Sequence, residues 1–134
     1  MKYYYYKEAI VCLAVIFLAS CEPRRTQYSV QEWHEMDALA ITMEKAFRPL
    51  KDSSTVDAAT RLMAQIADES EKLATSPLPD KVNNEIIKRK LEKLKTDTRA
   101  LANEIAAGTE EDVIGTDFYK IHDLYQEIQD ALRK

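Results

Sequence analysis

The sequence predicts an all-α protein, a single antiparallel up-down-up-down four-helix bundle that follows a removable leader. Three observations carry that expectation. Apolar residues recur at alternating intervals of three and four through four successive segments, the spacing that gathers them on one stripe of a helix. Proline, glycine and polar clusters separate those segments by short links, so each helix must turn back on its neighbour. No run alternates apolar with polar residues, and no hairpin turn pair is present, so a sheet does not compete.

The first helix opens on Ser29-Val30-Gln31-Glu32, a capping box in which the serine accepts from the first turn and the glutamate reaches back. Its apolar stripe is Trp33, Met36, Ala40, Met43, Phe47 and Leu50, and Pro49 with the polar run Lys51 to Ser54 is expected to end it. Thr55, or Ser54 with Asp57 three residues on, should cap the second helix. Its stripe is Val56, Ala59, Met63, Ile66 and Leu73, with Leu62 on the flank and Glu69 and Ser70 as an interruption. Thr75-Ser76-Pro77-Leu78-Pro79 is the strongest breaker in the chain, because two prolines remove donors and fix φ.

The third helix is expected from about Asp80. It has the cleanest pattern, Ile87, Leu91, Leu94, Thr98, Leu101 and Ile105, a heptad-like seam with one polar member. Thr98 can bond the carbonyl of Leu94, and Gly108 should end the helix in a left-handed conformation. Thr109, with Asp112 three residues later, can cap a fourth helix whose stripe is Ile114, Phe118, Ile121, Tyr125, Ile128 and Leu132. Gly115 marks either a kink or a later start at Thr116 or Asp117.

The start of the chain reads differently. Lys2 and Lys7 flank four tyrosines, and Ala9 to Ala19 then runs without a charge through Ile10, Val11, Leu13, Val15, Ile16, Phe17 and Leu18. That stretch is too short to span a bilayer, which takes about 20 apolar residues, and it matches the core of a signal peptide. Leu18-Ala19-Ser20-Cys21 at its end resembles the lipobox of bacterial lipoproteins. The resemblance implies that Cys21 receives a diacylglyceryl group on sulfur and that the chain is cut before it. It divides the chain into residues 1–20 as signal, 21–28 as lipidated cysteine and tether, and 29–134 as the bundle. It further implies a protein of the bacterial cell envelope, held to a membrane and exposed to the periplasm or the cell exterior.

Under that reading Cys12 leaves with the signal and Cys21 carries lipid, so no thiol remains for a disulfide, a metal or a nucleophile. The signal holds Lys2, Lys7 and Glu8, a net +1. With a whole-chain charge of −4, the remaining 114 residues carry −5. An acidic domain is expected to stand off an anionic bilayer and to avoid nucleic acid. The partners expected are therefore the membrane, through Cys21, and an envelope protein.

Catalytic motifs are missing from the sequence. There is no GxSxG elbow, no HExxH, no CxxCH and no phosphate-cradling glycine loop. A di-iron bundle would place Glu-x-x-His twice, but position 31 is Gln and position 119 is Tyr. These features predict a non-enzymatic interaction or structural protein with no resident cofactor. The candidate ligands for an alternative haem- or metal-binding role are His122 with Met36 or Met43, and His34. Helices one and four run in opposite directions in the expected bundle, which sets His122 level with Leu39 and Ala40.

That combination of a histidine on the last helix with methionines on the first resembles cytochrome b562-like bundles. Trp33-His34-Glu35-Met36, Phe47-Arg48-Pro49 and Ile121-His122-Asp123 are similar to segments of small envelope bundle proteins with histidine-rich final helices. Arg48 and Tyr125 stand where that resemblance implies further histidines. Against the ligand role, Met36 and Met43 have the helical spacing of ordinary core residues, and His34 sits among acidic neighbours at a helix start. The cluster Lys88, Arg89, Lys90, Lys93 and Lys95 reads as a solvated face.

Overall fold

The computed structural model describes residues 33–134, and every regular element among them is helical. The helices are α1 (His34–Ser53), α2 (Asp57–Thr75), α3 (Glu85–Ala107) and α4 (Glu111–Arg133), with one 3₁₀ turn at Asp80–Val82 before α3. The expected signal, Cys21 and the Ser29–Glu32 capping box lie outside the described residues. No helix among the described residues is long and apolar enough to cross a membrane.

α1 does not stop at Pro49. The proline sits inside its last turn, and the helix runs on to Ser53 before Ser54 takes a left-handed conformation, with φ 55°. The missing N–H removes one bond, but Leu50 is buried just beyond it, and Ser54 donates its N–H to the Leu50 carbonyl at 3.0 Å. Apolar burial on both sides of the proline outweighs the local penalty. The buried face is also wider than the expected stripe, because Leu39, Thr42 and Ala46 are buried while Ala40 and Phe47 are only partly so.

α2 starts without a side-chain cap. Neither Ser54 nor Thr55 serves; Val56 occupies the cap position, and its carbonyl accepts from Thr60 N–H at 2.8 Å. Val56 is itself buried, so hydrophobic docking rather than a hydroxyl fixes the start. Ser70, expected to break the stripe, is fully buried between Ile66 and Leu73 and continues it. Ala59, Ala67 and Ser70 keep the buried face of α2 low in profile, which lets α1 and α3 pack closely along it.

The prolines after Thr75 end α2, and Val82 is buried under the 3₁₀ turn. α3 starts five residues later than the expected Asp80. Asn84 is its cap, with Oδ1 accepting from Ile86 N–H at 3.1 Å and Ile87 N–H at 3.0 Å. The seam Ile87, Leu91, Leu94, Thr98 and Leu101 is buried, and Ile105 packs partly against it. Thr98 donates its hydroxyl to the Leu94 carbonyl at 2.8 Å, with the Lys95 carbonyl at 3.0 Å, so its one polar atom is satisfied within its own helix. Gly108 ends α3 at φ 90°, as the sequence predicts.

α4 is one continuous helix from Glu111, capped by Glu110 through its backbone, so neither a Thr109 cap nor a later start is found. Gly115 lies inside it, where an added Cβ would sit 3.6 Å from Val56 Cγ1 and 3.9 Å from Leu50 Cδ1. Those are ordinary contact distances. Gly115→Ala should therefore stabilise the protein by about 0.5–1 kcal/mol, by lowering the entropy of the unfolded helix segment. A raised urea midpoint with an unchanged slope would show it. A lowered midpoint would mean that α4 needs the glycine for a closer approach than these distances give.

The described residues form one compact unit with a single core, in which Leu39, Met43, Met63, Ile66, Leu94, Phe118 and Ile128 are almost wholly excluded from solvent. α2 is the best-packed helix, lying against both α1 and α3, while α4 rests mainly on α3. α1 and α4 come together differently. Their backbones approach at few points, and rings fill the space between them.

Candidate functional site

Those rings form the first polar-aromatic cluster of interest. The His122 imidazole lies flat on the Phe47 ring, with centroids 3.5 Å apart and planes 5° from parallel. Tyr119 meets Phe47 edge-on at 5.3 Å, and Phe118 lies beneath at 6.3 Å. His122 thus sits opposite Phe47, two turns of α1 beyond the expected level of Leu39 and Ala40. Its Nε2 is 3.4 Å from Gln126 Nε2. Burial pushes the imidazole below its ordinary value and Lys51 adds to that effect, while Asp123 and Glu44 pull the other way. The neutral ring is therefore favoured, and a neutral ring stacks on phenylalanine without an ion to desolvate.

His122 also lines an open cleft of about 330 Å³ with Glu44, Phe47, Arg48, Lys51 and Asp52. Two acids and two bases share its rim, and Arg48 is held by Glu44 through contacts of 2.7 and 3.1 Å. Met36 and Met43, the other candidate ligands, are buried in the core at 3% and 1% exposure. Met43 is one turn from Phe47, and Met36 is three. Among the described residues no group of three or more His, Cys, Asp or Glu side chains could hold a metal ion. Tyr125, on the seam where the family resemblance implied another histidine, is buried, which pushes its hydroxyl up to about 12.

The fourth candidate, His34, is exposed on the first turn of α1 and lies away from His122. It lines a cleft of about 240 Å³ between α1 and α2, with Glu35, Ala38, Glu69 and Lys72. Near this cleft is a network that the sequence reading missed. The Thr42 hydroxyl donates to Glu69 Oε1 at 3.0 Å. Gln65 Nε2 donates to the same oxygen at 2.8 Å and reaches the Thr42 oxygen at 3.2 Å. Glu69 Oε2 and Ser70 Oγ are buried without a hydrogen-bond partner among the described residues. Thr42 could have been found from its place between Leu39 and Ala46 on the buried face; Glu69 gave no such signal.

At the opposite edge of α2, Arg99 of α3 bridges Asp68 at 2.6 Å and Glu71 at 3.3 Å. Lys90 pairs with Glu127 of α4 at 2.8 Å. Within the basic run on α3, Lys90 thus pairs with an acid of a neighbouring helix, while Lys88, Lys93 and Lys95 pair with Glu85, Asp97 and Glu92 of α3 itself. No protein-family model matches the chain, and neither a curated protein nor a solved structure matches it.

Proposed function

We propose that this chain is the precursor of a bacterial lipoprotein whose mature part is a single antiparallel up-down-up-down bundle. It is held to a membrane of the cell envelope through acyl chains on Cys21. It acts there as a non-catalytic interaction or structural protein. The observation that carries the reading is the placement of Leu18-Ala19-Ser20-Cys21 after a charged and then apolar start. Two or three acyl chains would hold the protein stably, where one would not.

Cross-helix contacts support the antiparallel arrangement. Trp33 meets Ser76 while Thr42 meets Glu69, so residue numbers rise along α1 as they fall along α2. Lys90 meets Glu127 while Leu101 and Ile121 line one cleft, which gives the same relation between α3 and α4. Phe47 against His122 and Leu50 beside Gly115 do so for α1 and α4. A non-catalytic role is supported by how the side chains are used. His122 is committed to Phe47 and Gln126, both methionine candidates pack in the core, and most of the ion pairs among the described residues join side chains of one helix.

Cys21→Ser should abolish acylation and leave a longer, unprocessed precursor in the host cell. The measurement is the intact mass of the wild-type and variant proteins purified from membranes, with the N-terminal peptide sequenced. A wild-type N-terminal peptide without acyl mass would end the anchor reading.

A further inference from the structure

We propose that His122 is a proton-operated catch between α1 and α4, which holds that seam closed while its ring is neutral and lets it open in mild acid. The proposal uses the bundle alone and stands whether or not Cys21 carries lipid. α4 rests mainly on α3, and its backbone approaches α1 at few points. Rings make the connection instead, and each ring contact among the described residues involves Phe47 or His122. The imidazole is the closest partner of Phe47, at 3.5 Å, against 5.3 Å for Tyr119 and 6.3 Å for Phe118. It also lies 6.2 Å from Tyr125, and so links Phe47 to the buried stripe of α4. Among these rings His122 alone takes up a proton near neutral pH.

The surroundings offer an imidazolium little compensation. Among the described residues, α1 turns Glu44, Arg48, Lys51 and Asp52 toward the ring, and α4 supplies Asp123 with the Tyr119 and Tyr125 hydroxyls. Glu44 is engaged by Arg48 at 2.7 and 3.1 Å, and Lys51 and Asp52 offset one another at the rim. Asp123 is exposed and next in sequence, a spacing that points the two side chains in different directions. The acids therefore attract a proton only weakly, and partial burial outweighs them, holding the imidazole below its ordinary value. Attraction of a cation to the Phe47 face acts the other way, but it does not restore the hydration lost in the stack.

The sign follows from the direction of that shift. A ring held below its ordinary value binds a proton more readily once the seam is open. The catch contributes its full stability above the ordinary histidine value of 6.5 and loses it as pH falls through that value toward the lower one of the closed seam. The charged ring has space to leave the stack, because the cleft of about 330 Å³ beside it is open to solvent. Its departure uncovers Phe47, which is only partly buried, next to Tyr119, already 42% exposed. Mild acid thus presents an aromatic face along the α1–α4 seam.

The test uses the full protein, purified as the cell makes it, at about pH 7.5 and about pH 5. Amide hydrogen exchange is followed by mass spectrometry and corrected for the intrinsic pH dependence of exchange. A helix freed from its neighbour opens more often, so acid should lower protection between Phe118 and Gln126 several-fold relative to α2 and α3. The limit for one histidine of ordinary value in the open state is about thirtyfold. Nuclear magnetic resonance of the His122 ring should show it titrating below its ordinary value. His122→Phe keeps a ring on Phe47 and takes up no proton, so its α4 protection should be the same at both pH values. If that variant fails to fold, His122→Gln is read in the same way. His34→Ala, away from the seam, should retain the wild-type response. Acid-indifferent α4 protection in the wild type, a His122 ring titrating above its ordinary value, or acid sensitivity that survives in the uncharged variant would each overturn the catch.

Discussion

Phe118→Ala will lower the unfolding free energy by about 3–5 kcal/mol. The side chain is wholly buried, and it lies under Phe47 where α1 and α4 meet. That interface is built from rings rather than close backbone contact, and removing Phe118, the ring of the cluster that is fully buried, leaves a void behind Phe47. Both the transfer free energy and the cavity left behind act in the same direction. Urea unfolding followed by circular dichroism will read the change as a lower midpoint at constant slope. A loss below about 1 kcal/mol would mean that α1 closes over the gap and that the ring stack is not what holds these helices.

Leu94→Ala will cost about 2–5 kcal/mol by a different route. Leu94 is fully buried on the central turn of the α3 seam, and α3 packs along α2. The two helices already approach closely along their length, so the backbone has little room to collapse into the space vacated. The cavity term should therefore be nearly complete. The same denaturation experiment applies, and a variant as stable as the parent would show that this level of the core is not packed as described.

The seam containing Leu94 was also the most legible part of the sequence. Its spacing of four and three runs uninterrupted, and the one polar member, Thr98, satisfies itself within its own helix. Other elements were readable as helices but not at their ends. Val56 and Glu110 start α2 and α4 without side-chain caps, because buried Val56 and Ile114 anchor those turns where the sequence suggested Thr55 and Thr109. Pro49 was misread for a related reason. A proline ends a helix only when nothing beyond it gains by continuing, and here Leu50 does.

The candidate site was less legible than the fold. Spacing shows that His122 lies beside the apolar stripe of its helix, but not how far α4 has slid along α1. That offset depends on the bulk of side chains between the helices and on the length of each turn, and it placed Phe47 rather than Leu39 opposite the imidazole. The Thr42–Gln65–Glu69 network was hidden because a glutamate late in an amphipathic helix looks like a solvent position. Only the neighbouring helix makes it otherwise.

Trp33 gives the bundle an optical reporter at its entrance. It is the chain's one tryptophan, and its indole is 5% exposed and bonded to Ser76. Light absorbed by this ring is emitted from an apolar setting as long as the first turn of α1 stays clasped to the end of α2. If the chain before Trp33 is pulled, the strain enters the described part of the domain at this residue before it reaches any other core side chain. The colour of the protein's own fluorescence therefore records whether the joint between the start of α1 and the end of α2 is closed, without any added dye.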